Sequence, residues 1–154
     1  SPMQMIIRRA TPGDLSTIVK FNAAMASETE DVKLDQTVLT KGVQAVLAND
    51  ALGFYIVCEI DGSVCACLMI TYEWSDWRNG LFWWIQSVYV DKPFRKKGCY
   101  KAMYNHIVAL IKTKENIAGL RLYVDENNTV AQKTYTKLGM QKTNYSLFEK
   151  LSNP

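Results

Sequence analysis

Apolar and polar positions change period several times along the chain, and each change marks an element. "MIIRR" at residues 5–9 reads as a short strand. Thr11, Pro12 and Asp14 then carry a helix start, with Thr11 as N-cap, Pro12 at the first helical position and Asp14 near the positive helix end. Leu15, Ile18 and Val19 supply the apolar stripe of a helix over "TPGDLSTIVKFNAAMA", and an acidic link, "SETEDVKLD", is expected to follow it. Val38, Leu39, Val43, Val46 and Leu47 recur at helical spacing, predicting a second helix from Gln36 to Ala48. "GFYIVCEI" and "SVCACLMITY" are β-rich runs joined by Asp61-Gly62, a strong hairpin signal. A polar loop, "EWSDWRNG", is expected before the strand "LFWWIQSVYV". From Gly98 onward Met103, Ile107, Leu110 and Ile111 mark a helix. "GLRLYV" reads as a strand, "TVAQKTYTKLG" as a short helix ending on Gly139, and "QKTNYSLFEK" as a last strand.

The order β-α-α-β-β-β-α-β-α-β predicts an α/β (α+β layered) architecture. Its sheet is mixed and mostly antiparallel, with a central parallel β-α-β crossover and flanking helices. No repeat or linker interrupts the pattern, so one domain over residues 3–154 is expected, long enough to bury a single core. The leading Ser1-Pro2 is read as a cloning remnant and set aside.

Composition narrows the functional classes. The 154 residues are 48% hydrophobic and 21% charged, and no apolar run approaches a membrane span. A net charge of +3 is too small to argue for nucleic acid, and the aromatic residues cluster away from the basic ones. Cys58, Cys65 and Cys67 fall inside apolar strand runs, which favours core thiols in a reducing cytoplasm over disulfides. Cys65 and Cys67 have C-x-C spacing, but no second pair completes a zinc site and the one histidine, His106, is remote. His106 lies mid-helix and is given no catalytic role; no metal is expected.

Positive charge is concentrated instead. Arg95, Lys96, Lys97 and Lys101 surround Gly98 where a strand ends and a helix begins. Neither the G-x-x-x-x-G-K-[ST] loop nor the G-x-G-x-x-G fingerprint occurs. Two readings of R-x-x-G remain, a solvated turn or an anion socket at a helix N-terminus, where glycine lets the backbone approach a phosphate.

The neighbouring residues decide between them. Arg95-Lys96-Lys97-Gly98-Cys99 after "SVYVDKPF" resembles the coenzyme A loop of the GNAT superfamily of N-acetyltransferases, in which R/Q-x-x-G-x-G/A opens a helix. Further along, Asn128, Ala131, Tyr135 and Gly139 match the family's N-x-x-A-x-x-x-Y-x-x-x-G at every fixed position. One residue departs from the pattern: Tyr100 stands where the family prefers a small side chain, where it would either clash with the cofactor or turn outward and leave the backbone cradle intact. Binding is expected to survive because the loop's contacts are mainly backbone N–H groups.

The resemblance implies transfer of an acetyl group from acetyl-CoA to an amine, without a metal. Backbone N–H groups from Lys96 to Lys101 would take the pyrophosphate, with Arg95 and the lysines in support. Backbone near Val88 and Val90 would order the pantetheine arm and polarise the thioester carbonyl. Asn128 and Ala131 would contact the cofactor, and Tyr135 would protonate the departing thiolate. Many relatives carry a glutamate base on the strand before the loop; here Gln86 stands there, so Glu73, or Asp76, through water is the candidate base. Glu28, Glu30 and Asp31 are candidates for holding a cationic amine, or are an exposed acidic link. Strand alternation puts Trp84 and Gln86 on one face, as candidate acceptor-pocket residues, and Trp83 on the other. The expected acceptor is a small-molecule amine and the expected assembly a homodimer. A peptide or protein amine is the alternative acceptor, and a CoA-binding module without catalysis the alternative function.

Overall fold

The structure, a computed structural model, describes residues 3–152; the reading of Ser1-Pro2 as a remnant lies outside them. The chain divides into two units, residues 1–122 and 123–154.

The first unit is built on a five-stranded sheet in the order β1-β2-β3-β4-β5. Strands β1 (Met5–Arg9), β2 (Phe54–Ile60), β3 (Ser63–Ser75) and β4 (Gly80–Val90) pair antiparallel in succession. β4 pairs in parallel with β5 (Ile117–Leu122) across the helix α3 (Cys99–Lys112), which is the expected crossover. The β2–β3 turn follows from its residues: Asp61 and Gly62 both take positive φ, 49° and 85°, as a two-residue hairpin of right-handed twist requires. The loop between β3 and β4 is shorter than expected. Glu73, Trp74 and Ser75 continue the β3 ladder, pairing with Phe82, Leu81 and Gly80, and the chain reverses with Asn79 at φ 48°. Gly80 fits there because a Cβ would lie 2.8 Å from the Asn116 carbonyl oxygen.

Ahead of α1 (Leu15–Glu30), residues Pro12–Asp14 form a 3₁₀ turn. Asp14 accepts the Thr11 backbone N–H at 2.8 Å and pairs with the Arg8 guanidinium at 2.8 and 2.9 Å, which holds its carboxyl below the usual range. α1 runs four residues further than expected, taking up Ser27–Glu30 from the supposed link. Acidic residues alone do not stop a helix. It ends where Asp31 turns left-handed at φ 51° and the Val32 N–H returns to the Ala26 carbonyl at 3.1 Å. Asp35 then caps α2 (Gln36–Ala48), accepting from the Thr37 and Val38 N–H groups.

Ile18, Val19 and Phe21 of α1 and Val43 of α2 bury against Tyr55, Val57, Cys67 and Tyr89 on one face of the sheet. α3 covers the other face, where Cys99 meets Cys58 and Cys65. All four cysteines are free and buried. Among the described residues no helix is long and apolar enough to cross a membrane.

In the second unit, α4 (Thr129–Lys137) is capped by Asn128, whose Oδ1 accepts the Ala131 N–H at 3.0 Å, and Gly139 follows it at φ 95°. The last strand expected over residues 141–150 does not form. Its alternating pattern has the right local propensity, but a strand exists only where a partner edge completes its hydrogen bonds. Tyr145 and Phe148 here are 83% and 94% exposed. The strand expected over residues 119–124 is shifted: it begins at Ile117 and ends at Leu122, and Tyr123 and Val124 are exposed.

Candidate functional site

The site begins with an irregularity in β4. Cys67 pairs with Tyr89 but Met69 with Gln86, so Leu68 faces both Ser87 and Val88. This is a β-bulge, and Ser87 takes up the extra residue at φ 52°. Pairing with β5 ends at Ile85↔Leu122, so residues 86–90 run on past the last β5 partner. Val88 and Val90 thus lie on a length of strand to which an extended ligand arm can add by backbone hydrogen bonds.

β4 leads into the basic loop. Asp91 accepts the Lys92 N–H, residues Lys92–Phe94 make a 3₁₀ turn, and α3 starts at Cys99. Lys96 and Gly98 take left-handed φ values of 62° and 85°, which turns successive N–H groups of the loop toward the start of the helix. A Cβ on Gly98 would meet nothing within 4 Å, so the glycine serves the backbone conformation and leaves open space beside the positive end of a 14-residue helix. Lys96, Lys97 and Lys101 are exposed around it. Left-handed turns, helix end and flanking cations suit a pyrophosphate. Tyr100 is half-buried, its ring 6.3 Å from that of Tyr104 one turn further along α3.

Arg95 is engaged within the protein. Its Nε donates to the Val90 carbonyl at 2.8 Å, and one terminal nitrogen donates to Glu28 Oε2 at 2.9 Å. Its guanidinium also lies 5.4 Å from the Tyr89 ring centroid. Glu28 Oε1 accepts from the Tyr89 hydroxyl at 3.1 Å and lies 3.6 Å from Lys92 Nζ. Donation from Arg95 above all, then from Tyr89, holds the Glu28 carboxyl below the usual glutamate range. Burial, and then Glu28, pushes the Tyr89 phenol up. Glu28 thus braces the loop against the end of α1, while Glu30 stays exposed in the last turn.

Trp84 and Gln86 share a face with Thr71 and Glu73 of β3. Gln86 Nε2 donates to Thr71 Oγ1, and Trp84 Nε1 donates to Glu73 Oε1 at 2.9 Å. Arg121 of β5 donates to the same Glu73 oxygen at 2.9 Å, with its guanidinium 3.6 Å from the Phe82 ring centroid. Trp83 occupies the opposite face, edge-on to Phe54 at 5.3 Å. Asp76 lies exposed in the β3–β4 turn, accepting the Trp77 N–H. Asn128, Ala131 and Tyr135 belong to the second unit, where Tyr135 is half-buried on α4 and its carbonyl accepts the Met140 N–H.

Sequence reasoning missed Arg121, Thr71 and Tyr89. Only the register places Arg121 opposite Trp84, and Thr71 opposite it on the other side. No spacing rule along the chain signals either. Tyr89 lies between the marked positions Val88 and Val90, but the bulge, invisible in the pattern, decides which face it takes.

A mixed sheet with a bulged central strand, a strip of that strand outlasting its parallel neighbour and a basic left-handed loop opening the next helix define an acyl-CoA-dependent N-acyltransferase. Residues 21–140 match the Acetyltransferase (GNAT) family, and the chain belongs to it. A possible acetyltransferase from Clostridium difficile 630 is 48% identical, with a TM-score of 0.89 over 96% of this chain and 97% of that one. A predicted acetyltransferase from Clostridium acetobutylicum, solved with acetyl-CoA, shares the fold at 21% identity and a TM-score of 0.76, covering 96% of each chain. So does AAC(6')-Iy in complex with a bisubstrate analogue, CoA-S-monomethyl-acetylneamine, at 16% identity and a TM-score of 0.76, covering 96% of this chain and 98% of that one. No curated protein matches the sequence.

Proposed function

We propose that the protein acetylates a primary amine of a small molecule, by direct attack of the amine on the thioester of acetyl-CoA. The observation that carries this reading is the left-handed basic loop opening α3 immediately beyond residues 86–90 of β4. Acetyl-CoA, when bound, supplies the activated acyl group. N–H groups from Lys96 to Lys101, Gly98, Cys99 and Tyr100 among them, take its pyrophosphate, with Lys96, Lys97 and Lys101 as counter-charge. Arg95 acts by holding the loop's entry to Val90 and Glu28. Backbone at Val88 and Val90 orders the arm and offers an N–H to the carbonyl oxygen.

Glu73, braced through Oε1 by Trp84 and Arg121, presents Oε2 to the incoming ammonium and takes its proton through water. Trp84 and Gln86 line the acceptor side, and Glu30 draws the cation toward it. Asn128 and Ala131 contact the cofactor from α4. Tyr135 is an O–H donor placed by its motif to protonate the departing thiolate. Residues 3–154 act as one acetyltransferase domain, in the cytoplasm and as a homodimer. The exposed Tyr145, Leu147, Phe148 and Leu151 are the apolar surface that a second copy covers. The aminoglycoside-like ligand of the AAC(6')-Iy complex supports a small polyamine-like acceptor over a peptide.

The test is thiol release from acetyl-CoA over a panel of small amines and peptides, with a thermal scan of the wild type and Gly98→Glu. Acetyl-CoA at about a hundred times its dissociation constant adds about 2.7 kcal/mol, which raises the midpoint by roughly 5–10 °C. That rise, lost in Gly98→Glu, is expected together with amine-dependent thiol release. Absence of a rise in the wild type overturns the cofactor site. A rise with no release for any amine leaves a binding module.

A further inference from the structure

Cys58 in β2, Cys65 in β3 and Cys99 at the first position of α3 bring their Sγ atoms within 4.8 Å of one another, with Cys65 and Cys99 at 3.9 Å. These side chains are 0%, 0% and 2% exposed. The convergence has a structural cause. A register shift after Cys58 displaces Cys65 within the β2–β3 ladder, and the basic loop returns the chain so that Cys99 descends onto them. Nothing in the local sequence announces it, since 34 residues separate Cys65 from Cys99.

We propose that this trithiol is a binding site for one copper(I) ion. Three sulfurs around an ion with metal–sulfur bonds of about 2.3 Å stand about 4.0 Å apart, close to the separations already present. The donor set is all sulfur; among the described residues no histidine or carboxylate joins the group. A soft d¹⁰ ion content with three thiolates suits that set, whereas zinc takes a fourth ligand. Binding breaks three S–H bonds, forms three Cu–S bonds and releases three protons to solvent, and no electron is transferred. The negative charge so created lies at the N-terminal, positive end of α3, with Lys96, Lys97 and Lys101 in the adjoining turns. The bound ion would fasten the start of α3 to the β2–β3 hairpin.

Buried cysteines also serve as plain apolar filler, and Cys67 provides the internal control. It is equally buried, and its sulfur lies 4.0 Å from the Ser87 carbonyl oxygen, outside the cluster. The experiment is an anaerobic titration of the whole chain with copper(I) buffered by bicinchoninate, followed by X-ray absorption of the loaded protein. One ion per chain with three sulfur neighbours is expected. Cys65→Ala and Cys99→Ala should each weaken binding at least a hundredfold and Cys67→Ala less than twofold, with the metal-free melting of every variant recorded to show that it is folded. Failure of the wild type to compete with bicinchoninate overturns the assignment. So does an equal loss in Cys67→Ala, or retention of binding in a folded Cys99→Ala.

Discussion

Gly98 and Gly62 make a matched pair. Both have φ of 85°, and at both an added Cβ meets nothing within 4 Å. An alanine at either position carries the same intrinsic cost of a left-handed backbone, about 1–2 kcal/mol, so each variant should melt roughly 2–8 °C below the wild type without ligand. Gly98 also precedes the first residue of α3, where alanine is a poorer N-cap, adding on the order of 1 kcal/mol. The two sites part company with acetyl-CoA present. Gly62 lies in a hairpin turn with no assigned ligand, so Gly62→Ala should keep the full stabilisation of about 2.7 kcal/mol at a hundredfold excess over the wild-type dissociation constant. With the pyrophosphate placed as proposed, the methyl group at Gly98 projects into its space, and at least a tenfold loss of affinity is expected, about 1.4 kcal/mol less stabilisation. Differential scanning calorimetry at matched ligand concentration reads both quantities. An equal ligand-induced rise in the two variants would refute the placement of the pyrophosphate at this loop.

Tyr135→Phe should lower kcat about a hundredfold with KM for acetyl-CoA changed less than about threefold; steady-state thiol release checks it, and an unchanged kcat removes Tyr135 as the acid. Glu73→Gln should lower kcat/KM at neutral pH about tenfold, with a smaller deficit at high pH where the amine arrives deprotonated; a deficit independent of pH would make Glu73 a positioning residue. Gly53→Ala should cost about 4 kcal/mol or prevent folding, because its Cβ would lie 2.1 Å from the Ile70 carbonyl oxygen at φ 147°; urea unfolding reads the loss. Arg8 holds the Asp14 carboxyl below its ordinary value. The stability this adds is fully present above an unfolded pKa of about 3.9 and is lost as pH falls through the lower folded value. Melting between about pH 5 and pH 2 should therefore fall less steeply in Asp14→Asn than in the wild type.

The legible parts of the fold were those whose cause is local. Asp61-Gly62 fixes its hairpin through the φ values that turn demands, and Asp35, unmarked beforehand, caps a helix whose apolar stripe alone had placed Gln36–Ala48 correctly. The basic loop between β4 and α3 was legible because its charges and its glycine are contiguous residues. What failed was non-local. The strand over residues 141–150 depends on a partner edge, and the fate of Glu28 depends on Arg95, 67 residues away. Charge pattern alone made Glu28 a candidate for the substrate, while the structure engages its carboxylate with Arg95, Lys92 and Tyr89. The three-cysteine cluster escaped for the same reason, since a ligand set drawn from two strands and a helix has no spacing to recognise.

The bulge at Ser87 has a practical consequence for anyone wishing to change what the protein accepts. It shifts the parity of β4 midway. Ahead of it the even positions, Phe82, Trp84 and Gln86, face the side on which Thr71 and Glu73 lie; beyond it the odd position Tyr89 reaches that side and contacts α1. A mutant library drawn on simple alternation would randomise Val88, on the wrong side of the sheet, and leave Tyr89 untouched. A single-residue deletion at Ser87 or Val88 would remove the bulge and restore regular alternation while leaving Tyr89 on the side of Gln86 and Glu28.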